Sequence, residues 1–248
     1  MDWFVTKCPV DPDAKEWLEE SFNWLIHEMS AETLLENEVV LPTEKYFPDH
    51  FLGKPGDIRR LLERVCRFMD VDSSEIGLEF YSRALENQPR PPARDAGHPL
   101  AVYQKRKGKF QLLLEITPNP QPGFLVAAIA HELGHVILHG EKRLDQKRAD
   151  HESMTDLLTV FYGMGILTAN SAVALARARN AQYEGGPVLR RGYMTEEMYG
   201  YALALFAYAR SENKPKWMSY LGVNVRHYLK QGLKYLRKTG DTKVQRLK

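Results

Sequence analysis

Cys8 and Cys66 are the only two cysteines in the chain, too few for a disulfide scaffold, and neither belongs to a Cys-x-x-Cys pair. Two free thiols are expected. A charge of one sign is missing as well: 34 Lys and Arg stand against 32 Asp and Glu, so no overall field gathers nucleic acid or anionic lipid. Nowhere do 18 apolar residues run together, and the stretch from Met1 to Cys8 has neither a basic region nor a long apolar one. The expectation is a cytosolic protein with no membrane partner. No internal repeat is evident. Hydrophobic residues at 44% and charged residues at 27% exclude the apolar-poor balance of a disordered chain.

What is there begins with helical periodicity. From Asp13 the apolar residues Trp17, Leu18, Phe22, Leu25, Ile26 and Met29 recur at helical spacing, and Pro42 closes the region that follows. A second amphipathic helix follows Pro55-Gly56-Asp57, with Ile58, Leu61, Leu62, Val65 and Met69 on one face. Cys66 falls within this pattern and is expected to fill the core. The period then shortens: Ile76 to Tyr81, Leu100 to Gln104 and Phe110 to Ile116 read as strands. The last two flank Lys105-Arg106-Lys107-Gly108, a hairpin turn, and Gln88 to Pro92 reads as an extended loop, a candidate cleft rim or linker. The remainder reads as helices over Phe124 to His139, Ala149 to Met164, Ser171 to Arg179, Thr195 to Ser211 and Leu221 to Lys238. The expected fold class is α+β, a mostly helical zincin-like body with a small antiparallel sheet before the motif helix. One domain is expected over 1–248, with a helical N-terminal region over 1–70, strands and motif helices over 71–165, and C-terminal helices over 166–248.

The chemistry is concentrated at His131-Glu132-Leu133-Gly134-His135, a His-Glu-x-x-His motif inside a helical apolar pattern that Gly140 is placed to stop. Residues four apart share a helix face, so both imidazoles can reach one ion. Glu132 follows the first ligand by one position, where a general base belongs. Five residues can meet this pattern by chance, so a third ligand decides. Downstream, Glu152 and Asp156 are themselves four apart. Glu152 completes a two-histidine, one-carboxylate set, and Asp156 accepts a hydrogen bond from His131 and fixes its tautomer. Asp145, Asp150 and His151 are the alternatives to Glu152.

These residues resemble the gluzincin metallopeptidases, the thermolysin-like class, in which the motif is followed on a later helix by Glu-x-x-x-Asp. The resemblance covers about residues 110 to 160. It implies zinc at His131, His135 and Glu152, metal-assisted hydrolysis with Glu132 as base, and a peptide or protein substrate paired along the strand Phe110 to Ile116. Leu157 to Gly165 and Met198 to Phe206 also look like segments of an uncharacterised bacterial family of hypothetical proteins that carries the same motif. The metzincin pattern does not fit, since it would need Gly at Leu138 and His at Glu141. Imidazole and carboxylate ligands also accept cobalt, manganese or iron. For the oxyanion, Tyr193, Tyr199, Tyr201, Arg190, Arg191 and His227 are the candidates.

Several features have plainer readings. His139 lies a turn beyond His135, too far along the axis to join the same ion comfortably, and is expected to support or pack. Tyr201, Leu205 and Tyr208 form a core stripe. The basic stretch Arg226 to Lys248 lacks an aromatic stacking platform and reads as a solvated helix face rather than a nucleic-acid site. Three functions follow: a peptidase, a non-catalytic zinc-binding regulatory or interaction module, and a hydrolase of a non-peptide amide or ester. Glu132 argues against the second, because a structural zinc site has no use for a base.

Overall fold

The computed structural model describes residues 6–81, 101–106, 109–115, 121–140, 142–145, 147–172 and 193–247. Asp11 caps the first helix, α1 (Pro12–Met29), by accepting from the Ala14 N–H at 2.9 Å. The helix buries Leu18, Phe22, Leu25 and Met29, the stripe expected from the periodicity. A short α2 (Ala31–Glu36) follows. In α3 (Pro55–Phe68) the Asp57 carboxylate reaches back to the backbone N–H groups of Leu52 at 2.9 Å and Lys54 at 3.1 Å, satisfying donors at the helix start. Those two bonds hold its pKa below the usual carboxylate value. Cys66 is wholly buried on α3 and burial pushes its thiol up to about 12, so it is core filling as expected.

The sheet differs from expectation. Strands β1 (Ile76–Tyr81), β2 (Ala101–Arg106) and β3 (Lys109–Glu115) lie in the order β1-β3-β2, with β2 antiparallel and β1 parallel to β3. The antiparallel hairpin was expected; the parallel β1–β3 pair corrects the expectation of an antiparallel sheet. Leu112, Leu113 and Leu114 are all buried, so β3 is covered on both faces, as suits a central strand. β1 and β2 flank β3 and run antiparallel to each other, so the chain returns along β2 before β3 runs in the direction of β1. Strand β2 runs to Arg106, two residues beyond its expected end at Gln104. The loop at Gln88 to Pro92 and the residues Lys107, Gly108 and Ile116 lie outside the described residues.

The helices that carry the motif follow. α4 (Pro122–His135) continues into a π-helical turn, Val136–Gly140, where regular helix was expected. α5 (His151–Phe161), α6 (165–172), α7 (Glu196–Ala209) and α8 (Val223–Thr239) complete the body. The expected helix at Ser171 to Arg179 begins earlier, at 165, and beyond 172 it lies outside the described residues. α4 packs on α3, α5 and β2, while α7 packs on α8. Pro122–Gly140 is the one described helix long and apolar enough to cross a membrane by length and composition, yet most of its surface is buried inside the fold.

Polar ties fix the helices around one contiguous core that runs from Leu18 to Val244. Buried Glu19 on α1 accepts from the Tyr201 hydroxyl at 2.6 Å, from Lys15 Nζ at 3.1 Å and from the Lys243 backbone N–H at 2.8 Å, which compensates its charge. Trp17 donates its indole N–H to Asp150 at 2.9 Å, which anchors the start of α5 to α1. Gly163, just past α5, has φ +76, and a Cβ there would lie 2.3 Å from the Glu38 carbonyl oxygen. Only glycine permits that turn, and the Val40 N–H donates to the Gly163 carbonyl at 3.0 Å.

Two outcomes follow. Gly163→Ala lowers unfolding free energy in urea by at least about 1–2 kcal/mol, from the left-handed backbone and the clash together; an unchanged midpoint would contradict it. Because the folded-state pKa of Asp57 is depressed, its stabilisation is present above the ordinary carboxylate pKa and lost as pH falls. Asp57→Ala therefore melts below wild type at pH 7, and the gap closes as pH is lowered from about 4 toward 2.

Candidate metal centre

The run Ala127 to Ala130 supplies strong helix formers and apolar contacts, and it fixes the face on which His131 and His135 project one turn apart. Their rings meet edge to face with centroids 4.8 Å apart. α5 approaches α4 closely at Gly134, where a Cβ would lie 2.8 Å from Thr155 Cγ2. That approach brings Glu152, Thr155 and Asp156 against the motif.

Glu152 Oε2 lies 2.9 Å from His131 Nε2 and 3.4 Å from His135 Nε2. Ligand atoms about 2.1 Å from a tetrahedral ion lie about 3.4 Å from one another. One spacing matches this edge, and the other is the hydrogen bond that a cation would replace. His131, His135 and Glu152 offer three ligand atoms all within 4.8 Å of one another, two imidazole nitrogens and one carboxylate oxygen, and can hold a metal ion. Among the alternatives, Asp150 is bound to Trp17 and Arg148, and Asp145 accepts from the Lys147 backbone N–H, so neither is turned to this set.

Both motif histidines are oriented from α5. Asp156 Oδ1 lies 2.9 Å from His131 Nδ1, the contact expected from the sequence, and its Oδ2 accepts from the Met194 N–H at 3.1 Å. The buried Tyr199 hydroxyl also bonds Asp156, and burial followed by that charge raises its pKa. Thr155 does the same for His135, a role that sequence reading missed. Its hydroxyl donates to the His151 carbonyl at 2.8 Å, so at 3.2 Å from His135 Nδ1 it must accept, which puts a proton on Nδ1 and turns His135 Nε2 toward Glu152. A Thr four residues after His151 is the available clue, since such hydroxyls bond the carbonyl one turn back.

The electrostatics favour a cation. Burial works to lower the pKa of His131, but Asp156 and Glu152 on its two nitrogens outweigh burial and raise it to about 10. For Glu152, burial works upward and the two imidazoles outweigh it, holding it well below the ordinary carboxylate range. Glu132 is buried on α4 beside His131. Of the oxyanion candidates, the Tyr193 ring stacks on His131 at 5.5 Å, whereas Tyr201 donates to Glu19 and Tyr199 supports Asp156. His227 lies on α8 against Tyr228, and Arg190 and Arg191 lie outside the described residues.

Thr155→Val keeps the volume and removes the hydroxyl. Cobalt(II) affinity, measured by chelator competition, should fall by about 10–100-fold with the helical circular dichroism unchanged; wild-type affinity would show that Thr155 does not orient His135. No family model matches the chain, and no curated protein or solved structure matches it at a significant level. The likeness to gluzincins therefore rests on the two short motifs and on the donor set they form.

Proposed function

We propose that this protein is a zinc-dependent hydrolase, and specifically a peptidase, with zinc held by His131, His135 and Glu152. The observation that carries the reading is the convergence of His131 Nε2 and His135 Nε2 on one Glu152 oxygen, with buried Glu132 next to His131 on the same helix. Two imidazoles and a carboxylate suit zinc, and three protein donors leave one of four positions for chemistry.

Bound zinc supplies Lewis-acid activation of water and of the substrate carbonyl. Glu132 accepts the proton of the attacking water and returns it to the leaving nitrogen, the role of a carboxylate that follows the first metal-binding histidine. Asp156 and Thr155 keep the imidazoles in the tautomers that present Nε2. The Tyr193 ring covers His131, and Tyr193 is the residue we assign to the developing oxyanion.

The peptide-binding strand needs correction. β3 is hydrogen-bonded on both sides and has no free edge, so it cannot pair with substrate as the gluzincin analogy implied. β2 pairs only with β3 among the described residues and lies against α4. An extended peptide added to β2 would run beside the motif helix, which favours a peptide over a small amide.

Glu132→Gln retains bound zinc by elemental analysis while cleavage of a mixed peptide library drops by about 10²–10⁴-fold. Zinc without cleavage in the wild type would favour the non-catalytic module, and undiminished cleavage by the variant would overturn the role of Glu132.

A further inference from the structure

His139 is 8% exposed, and its ring is not idle packing. Its Nδ1 lies 3.1 Å from the Leu144 carbonyl, which can only accept, so Nδ1 carries the proton and Nε2 carries the lone pair. That Nε2 is buried and has no hydrogen-bond partner among the described residues. An orphaned acceptor of this kind costs free energy unless something fills its place. Two other imidazoles stand around it: His135, stacked at 5.3 Å between centroids, and His151, at 6.0 Å. His135, His139 and His151 offer ligand atoms all within 4.8 Å of one another. The π-helical turn Val136–Gly140 carries His139, and such turns mark sites where a helix departs from its regular spacing to place a side chain.

We infer that His135, His139 and His151 form a second metal position, one turn along from the first, and that the two share His135. With Nδ1 of His135 held by Thr155, the ring has Nε2 alone to give, so the two positions hold one ion between them. The first has the anionic Glu152 and is the one filled in the wild type. The second is made of neutral imidazoles only, a set suited to zinc, copper, nickel or cobalt rather than to magnesium or calcium. Glu152 Oε1 lies 3.7 Å from His151 Nδ1 at the edge of this set and is not one of its three ligands, and an ion there is not the hydrolytic one. The second position is thus a holding state for the metal, with half-buried His151 on its outer side. The inference rests on the proposed metal set only through the shared His135 and does not depend on hydrolysis.

The test strips the full-length protein with a chelator and titrates it with cobalt(II), then copper(II). Wild type binds one cobalt per chain. Glu152→Ala, which disables the first position, still binds one, and its copper resonance shows three coupled nitrogens. Adding His139→Phe weakens cobalt binding to Glu152→Ala by on the order of 100-fold, since even partners outside the ligand shell are worth about 10–100-fold. His151→Ala, at a half-buried position, serves as an independent second variant, and His131→Ala replaces Glu152→Ala if that chain does not fold. Two coupled nitrogens in Glu152→Ala, or a cobalt affinity unmoved by both His139→Phe and His151→Ala, would overturn the second position, and two cobalt ions in the wild type would overturn the sharing of His135. None of these readings depends on peptide cleavage, so a failure of the peptidase proposal is seen separately.

Discussion

The close contact of α4 with α5 is the constraint from which the rest of the site follows. At Gly134 there is no room for a Cβ against Thr155, and this approach lets one short stretch of α5 serve both motif histidines. Glu152 meets both Nε2 atoms, Asp156 takes Nδ1 of His131, and Thr155 takes Nδ1 of His135. A helix pair held farther apart would leave these buried polar groups short of partners, at a cost of about 1–3 kcal/mol each. The site and the packing of the helices are thus one structure.

The surrounding ties act on the position of α5. Trp17 holds Asp150 at its start, Met194 and Tyr199 hold Asp156 in its middle, and Gly163 turns the chain at its end. Arg143 donates to both the carbonyl and the carboxylate of Glu28, at 3.1 and 2.9 Å, and so fastens the connection between the motif helix and α5 to α1. α1 is in turn joined to α7 and the C-terminal segment through Glu19. Burying carboxylates at Glu19, Glu152 and Asp156 is tolerable because each has several partners. His139 Nε2 lacks one among the described residues, and the second metal position is inferred there.

Much of this was legible in the sequence because it depends on local spacing. The apolar stripes of α1 and α3, the shared face of His131 and His135, and the shared face of Glu152 and Asp156 all follow from residues three or four apart on a helix. Features set by contacts between distant segments were not legible. The central place of β3 depends on β1 pairing along its other side from β2, although three consecutive leucines, Leu112 to Leu114, were a sign of burial on both faces. The π-helical turn and the use of the Thr155 hydroxyl depend on backbone detail that periodicity does not encode. Tyr201 suited the site by composition alone and proved to be spent on Glu19.

The central claim is a single ion bound by two imidazoles and a carboxylate. X-ray absorption at the zinc edge of the zinc-loaded wild type tests it most directly. The account predicts a first shell of nitrogen and oxygen at about 2.0–2.1 Å with outer-shell scattering from two imidazole rings. Scattering from three rings would put the resident ion at His135, His139 and His151 instead, and a hydrated ion without imidazole scattering would contradict the centre altogether.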